Sequence, residues 1–488
     1  MLLKFNLITD LKSKKLLNYD DCGAIIEKNC ELLIILANII RSRGRIFVER
    51  DWRKPYRGLF LYAFMFLGIA FLAASPSKIF EGLKTIVLSS DILITDYLEL
   101  AGVGPTFANV GLVMVITAIL MYANKMPIKS GNIVTIGLMS GFAFFGKNIF
   151  NMWFILLGTY LFCALRKEPM SKYLLQSFWA SSLGPLISST FFHQGDISFT
   201  SVSVSVITGL IIGFVTPVLT TYTVRIQHGL NLYNGGFATG LMAMMLTPIL
   251  KAFGYEFNTV SIWSTQYSRL FTSGLIISGI LLIVLGSSHD EYAIHNYSNL
   301  LKRPGNPVDD FLELDGLGAT LINMGVNIIA STLVLLAIGG DVNGPTIGGI
   351  LTIAGFSVKG KHARNILPVM FGIILSGLLR GNGAVSTPAA QLALLFGTTL
   401  APVSGTYGPF AGILAGFIHS SVVLYAGAGY SGVNLYNNGF AGGLVAIVMH
   451  SVLSEFFKPK EYSEPSDSMK PRIDDKPEID LSDLNLYE

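Results

Sequence analysis

Two short blocks of this chain hold side chains that could grip a polar solute. Asn231, Tyr233 and Asn234 stand in Asn-Leu-Tyr-Asn-Gly-Gly-Phe-Ala-Thr-Gly-Leu, and Asn434, Tyr436 and Asn437 stand in Asn-Leu-Tyr-Asn-Asn-Gly-Phe-Ala-Gly-Gly-Leu. Carboxamides and phenols both donate and accept hydrogen bonds, so these residues are candidate substrate contacts, and the neighbouring glycines let a backbone turn or come close to a ligand. The same residues also suit a plainer role, capping the apolar helices that follow. Asp96, Glu99, Asp310 and Glu313 are carboxylates beside apolar stretches. They could bind a coupling cation or proton, or cap a helix start. Lys147 and Lys361 each follow a glycine at the end of a short apolar run. They could attract an anion, pair with one of the acids, or reach outward to the membrane boundary.

These residues come in pairs, and the pairing exposes the elements that must position them. The two Asn-Leu-Tyr-Asn blocks agree at nine of eleven positions. Residues 96–106 return as 310–320, an offset of 310 − 96 = 214, and Asn109/Asn323, Gly146-Lys147/Gly360-Lys361, Asn151/Asn365 and Gly158/Gly372 keep that offset. After a deletion from the second copy, Gly209 and Gly213 pair with Gly412 and Gly416 at 203, as do the blocks themselves. The chain reads as a tandem duplication. The glycine pairs at i and i+4 predict close helix packing.

Hydrophobic residues make up 51% of the 488 positions and charged ones 13%, with 51 glycines. A soluble repeat protein would carry far more charge, so the composition points to an all-α polytopic membrane protein. About seven apolar segments fall in each copy, from 59–74 to 237–250 and from 271–286 to 440–453. Several are shorter than the roughly 20 residues a helix needs to cross a bilayer, which predicts tilted or re-entrant pieces. Gly184-Pro185, Pro217, Pro402 and Gly408-Pro409 favour broken helices. The expected layout is a basic cytoplasmic segment with an interfacial helix at 1–57, a membrane repeat at 58–252, a connector at 253–269, a second repeat at 270–455 and a disordered acidic tail at 456–488.

An odd number of crossings per copy would turn the second copy upside down. The cluster Arg41, Arg43, Arg45, Arg50, Arg53, Lys54 and Arg57 puts the N-terminus in the cytoplasm. Lys125, Lys129, Arg166, Lys167, Lys172 and Arg225 then fall inside, while the matched loops of the second copy hold only Arg380. Basic residues of the second copy gather instead in the opposite loops, at Lys302, Arg303, Lys359, Lys361 and Arg364. That swap is what an inverted repeat requires, and it leaves both termini cytoplasmic.

In inverted repeats the substrate site tends to lie near the midplane where the copies meet, at interrupted helices. The expected function is therefore a transporter or channel for a small solute, with the bilayer and that solute as partners; a homo-oligomer is compatible with it. A polytopic membrane enzyme using Asp96, Glu99, Asp310 and Glu313 on a lipid-borne substrate is the alternative from another class, followed by a non-transporting scaffold or sensor. The chain shows no Walker loop and no nucleophile elbow, its seven histidines lack H-x-x-x-H or H-E-x-x-H spacing, and Cys22, Cys30 and Cys163 lack metal spacing. No catalytic residue, metal or cofactor is expected. The net charge of +3 follows from loop placement and gives no reason to invoke nucleic acid.

The duplicated Asn-Leu-Tyr-Asn-x-Gly-Phe-Ala-x-Gly blocks resemble a prokaryotic family of multi-pass membrane proteins known as a domain of unknown function. The resemblance spans nearly all of 58–455 and implies a bacterial or archaeal inner membrane. A more distant likeness is to urea transporters, whose inverted halves carry Tyr-Asn or Phe-Asn before a glycine-containing helix, comparable with Tyr233-Asn234-Gly235 and Tyr436-Asn437-Asn438. Their Leu-Pro-x-x-Thr-x-Pro-Phe block has no match here, the nearest run starting at Leu367-Pro368.

Overall fold

A computed structural model describes residues 52–193, 197–257, 261–289 and 291–459. The expected interfacial helix, most of the basic N-terminal segment and the acidic tail from residue 460 on lie outside them. Among the described residues the regular elements are all helical, with only isolated β-bridges besides.

The helices form two series. The first runs α1 (Lys54–Ala73), α2 (Pro76–Leu88), α3 (Tyr97–Ala101), α4 (Val103–Ala123), α5 (Ser130–Phe142), α6 (Trp153–Arg166), α7 (Leu174–Ala180), α8 (Gly184–Phe191), α9 (Phe199–Ile226) and α10 (Asn234–Ala252). The second runs α11 (Ser268–His289), α12 (Ala293–Leu300), α13 (Phe311–Leu314), α14 (Gly316–Ala337), α15 (Gly344–Phe356), α16 (Ala363–Arg380), α17 (Pro388–Phe396), α18 (Ala401–Tyr407), α19 (Pro409–Gly429) and α20 (Asn437–Phe456). Starts of α1 and α11, α3 and α13, and α5 and α15 are 214 apart (268 − 54, 311 − 97, 344 − 130), and those of α10 and α20 are 203 apart (437 − 234). At α8 and α18 the offset is 217 (401 − 184), and its drop to 203 falls after them: a loop leads into the 28-residue α9, whereas α18 meets the 21-residue α19 across Gly408 alone.

Nine helices among the described residues are long and apolar enough to cross a bilayer, which makes this a multi-pass membrane protein. The matched pair α1 and α11 is the least buried, with 28% and 11% of their apolar windows covered by protein, and exposes residues such as Leu72 and Ile277. Apolar side chains turned outward in this way need lipid around them. At 13 residues each, α5 and α15 reach about 20 Å, well short of the hydrocarbon thickness.

The apolar segments expected around 174–192 and 389–403 are each two half-helices. The 3₁₀ turns Ser181–Leu183 and Gly397–Leu400 separate α7 from α8 and α17 from α18. Pro185 and Pro402 sit at the second position of the new helix, where a missing N–H costs nothing. Pro217 behaves differently from the sequence expectation and lies inside an unbroken α9. A proline there cannot bond the carbonyl four residues back, that of Gly213. The Thr159 hydroxyl of α6 supplies the missing donor, 2.9 Å from Gly213 O.

The glycine pairs do pack helices closely. A methyl at Gly213 would overlap the Ile155 carbonyl and one at Gly158 the Leu210 carbonyl; at the matched positions, Gly416 would meet Val369 O and Gly372 would meet Ile413 O. Thus α6 lies backbone against backbone on α9, and α16 on α19. A third glycine contact joins the two series. A Cβ at Gly141 in α5 would stand 2.6 Å from Gly348 O in α15, and one at Gly355 would stand 3.2 Å from Val134 O. Since 348 − 214 = 134 and 355 − 214 = 141, the two contacts are the same contact exchanged between series. Position falls in one helix as it rises in the other, so α5 and α15 pack antiparallel.

Candidate functional site

Each Asn-Leu-Tyr-Asn block starts as an Asx turn. Asn231 Oδ1 accepts from Tyr233 N at 3.2 Å and Asn434 Oδ1 from Tyr436 N at 3.0 Å, a local bond that bends the chain into the following helix. The same oxygens reach across to the other series. Asn231 Oδ1 accepts the Thr399 hydroxyl, and Asn434 Oδ1 accepts the Ser182 hydroxyl at 3.3 Å. Backbone bonds repeat the exchange: Leu232 N donates to Thr399 O and Leu435 N to Ser182 O, both at 3.0 Å. Thr399 and Ser182 lie in the 3₁₀ turns that interrupt the broken helices. Each block therefore grips the break in the opposite series.

At the centre the two blocks touch. The Tyr233 and Tyr436 ring centroids are 4.8 Å apart, and a Cβ at Gly439 would lie 2.8 Å from Gly236 Cα. The close approach that Gly236 and Gly439 permit is made by the partner block. Gly235 faces the Trp179 ring instead, 3.0 Å from its own would-be Cβ.

Lys147 and Lys361 are fully buried and turn no side-chain surface outward. Gly146 and Gly360, with φ of 73° and 99°, turn the chain so that the next residue points inward. Lys147 Nζ donates to the Ser181 hydroxyl and to Phe178 O at 3.3 Å; Lys361 Nζ donates to Thr398 Oγ1 at 2.8 Å and to the Tyr233 hydroxyl. Neither forms an ion pair among the described residues. Both sit where α7 and α17 end, and a helix C-terminus carries the partial negative charge that favours a cation there.

The acids are not brought together. Asp96 is buried and accepts the N–H groups of Leu98 (2.9 Å), Ser264 (3.0 Å) and Gly344 (3.2 Å). Asp310 accepts from Glu313 N at 3.3 Å and from the Ser130 hydroxyl at 2.5 Å. Both cap a short helix of their own series and tie down the first residue of α15 or α5 in the other. Glu99 and Glu313 are exposed in the first turns of α3 and α13. No group of three or more His, Cys, Asp or Glu that could hold a metal ion occurs among the described residues.

A cavity of about 200 Å³ opens beside the tyrosine pair, lined by both series. Its lining includes the partly exposed Lys359 and Pro307 and the buried Asn234, Phe356 and Tyr436. Asn234 Oδ1 has no hydrogen-bond partner. The matched positions on the other side are filled. Asn437 accepts the Tyr430 hydroxyl and donates to Val423 O at 3.1 Å, while Phe142, Phe145 and Phe396 pack together with centroids 5.7–6.3 Å apart.

The family described as a protein of unknown function (DUF1576) matches residues 75–252 and 289–455. The chain belongs to that family. Its two matched segments begin 289 − 75 = 214 residues apart, the offset already found between the helices. No curated protein and no solved structure matches the chain.

One buried acid escaped the sequence reading. Asp91 accepts from Ser89 (2.6 Å), Tyr97 (2.5 Å), Asn148 (2.7 Å), Asn151 (3.1 Å) and Ser188 (2.7 Å), joining the loop after α2 to the half-helix α8. In the second series its place is taken by Gly305 (91 + 214) and that of Ser188 by Gly405 (188 + 217). A search for residues kept in both copies passes over it.

Proposed function

We propose that the protein is a transporter built as an inverted repeat, moving a small solute through the cavity where the two series meet. The exchange of caps supports the inversion. Between Asp96 and Ser130 lies α4, whose 21 residues rise about 30 Å, so these two positions stand at opposite ends of a crossing. Asp96 meets the start of α15 and Asp310 meets the start of α5. Matched positions thus belong at opposite levels, in keeping with the antiparallel α5 and α15. The basic loops then favour a cytoplasmic mouth for the cavity at Lys359, in a prokaryotic plasma membrane with both termini inside.

The observation that carries transport is the inequality of matched sites. One set of residues surrounds an open cavity with a free carboxamide at Asn234, while its counterpart around Asn437 is closed by side chains. A carrier that rocks one repeat against the other around a fixed site would present the two sets in turn. Asn231 and Asn434 hold the framework, whereas Asn234 and Tyr436 face the solute, with Tyr233 and Asn437 taking their place in the opposite state.

The test is uptake by proteoliposomes offered a defined mixture of small metabolites, with the contents read by mass spectrometry. At least one solute is expected to enter faster than into empty vesicles and to lose that advantage with the Asn234→Ala/Asn437→Ala double variant. Entry of every solute at the empty-vesicle rate overturns the proposal.

A further inference from the structure

We infer that the cavity takes a small organic carboxylate. This inference rests on the transporter reading and names its substrate class. Four observations converge on an anion. Asn234 begins the 19-residue α10, and no side chain caps that end. The N–H groups of Asn234, Gly235 and Gly236 make no hydrogen bond among the described residues, whereas at the matched end of α20 Asn437 N donates to Asn434 O and Gly439 N to Tyr436 O. Free N–H groups at a helix start form an anion site. Second, Tyr436, 1% exposed, lines the cavity, and its hydroxyl has no hydrogen-bond partner among the described residues. Third, Lys359 is the one charged side chain in the lining, no acid opposes it there, and it forms no ion pair among the described residues. Fourth, Lys361 stands one layer behind, donating to Tyr233, whose ring packs on that of Tyr436.

The remaining chemistry narrows the class. Asn234 is 9% exposed; its Oδ1 is fully covered, so the carboxamide turns its Nδ2 donor to the cavity, one more N–H for a carboxylate. The walls are apolar and aromatic, including Trp179, Phe356 and Leu232, so a fully hydrated inorganic anion would lose water there without return. A cavity near 200 Å³ compares with about 150 Å³ for one that holds benzene. The solute has few carbons or a single ring.

Binding and flux should be measured separately, on the full chain, with lactate, alanine and mandelate, each against its own amide, and with inorganic phosphate. Trp179 in the cavity wall makes its fluorescence the binding signal, with Trp179→Phe as the control. The expected result is that at least one carboxylate binds and moves at least ten-fold better than its amide, and that Lys359→Gln, at a partly exposed position, weakens it about ten-fold while the melting temperature holds. Amides matching their acids, or phosphate outcompeting all three, overturns the carboxylate class. If a neutral or cationic solute moves instead, transport stands and this inference falls. If a carboxylate binds by the Lys359-dependent signal and no solute moves, the site stands and the transporter reading falls.

Discussion

Gly344, the first residue of α15, donates its N–H to Asp96 at 3.2 Å across 248 positions of chain. Asp96 also takes the N–H groups of Leu98 and Ser264, so one carboxylate fastens three segments. Asp96→Ala leaves all three donors buried and unpaired, and about 3 kcal/mol of stability should go with it. Asp310→Ala, at a less buried cap, should cost about 1 kcal/mol. Thermal unfolding in detergent ranks the two; a milder effect at Asp96 than at Asp310 would contradict the caps as described. Glu99→Gln with Glu313→Gln should leave the melting temperature unchanged, since both are exposed.

Matched positions should lie on opposite faces of the membrane. Arg166 and Arg380 end the matched helices α6 and α16, are 380 − 166 = 214 apart, and are both exposed. Single cysteines at these positions, in a background without Cys22, Cys30 and Cys163, should react with an impermeant thiol reagent from different sides. Labelling of both from one side would exclude the inversion.

The two asparagines that open α10 and α20 should differ in what they do. Asn437→Ala strands the Tyr430 hydroxyl and should cost about 1–3 kcal/mol. Asn234→Ala removes a carboxamide whose oxygen is already unpartnered, so stability should stay within about 0.5 kcal/mol of wild type. Melting temperatures decide, and a larger loss at Asn234 would show that its side chain is structural.

Thr159 and Pro217 should be coupled. Thr159→Val leaves Gly213 O without a donor and should cost about 1–3 kcal/mol. Pro217→Ala restores an N–H four residues on, so the double variant should recover much of that loss. Additive losses in a double-mutant cycle would mean that the hydroxyl does not relieve the proline.

Much of this was legible in the sequence because its two halves share residues at constant offsets. The offset shared by residues 96–106 and 310–320 anticipates the matched helix starts, and the two Asn-Leu-Tyr-Asn blocks meet at Tyr233 and Tyr436. What was not legible depends on distant partners. Lys147 and Lys361 look like boundary lysines until the ends of α7 and α17 come into place beside them. Pro217 looks like a break because its remedy lies on α6. Asp91 has no counterpart in the second series, so pairing the two halves by residue type passes over it. The free carboxamide of Asn234 cannot be told from the bonded one of Asn437 by residue type at all.

The exchanged grip on the broken helices bears on how the chain is made. Ser182 waits for Asn434 and Leu435, 252 positions later for the first of these. Until the ribosome has delivered that stretch, the Ser182 carbonyl in the turn between α7 and α8 lacks the Leu435 N–H, a costly condition for a group headed into hydrocarbon, although the Ser182 hydroxyl already has Thr239 Oγ1 at 3.3 Å. The first series is therefore expected to complete this packing only after the last block is made. Stalling or truncation before Asn434 should expose it to membrane proteases, so that quality control would read the arrival of the last block as the sign of a finished protein.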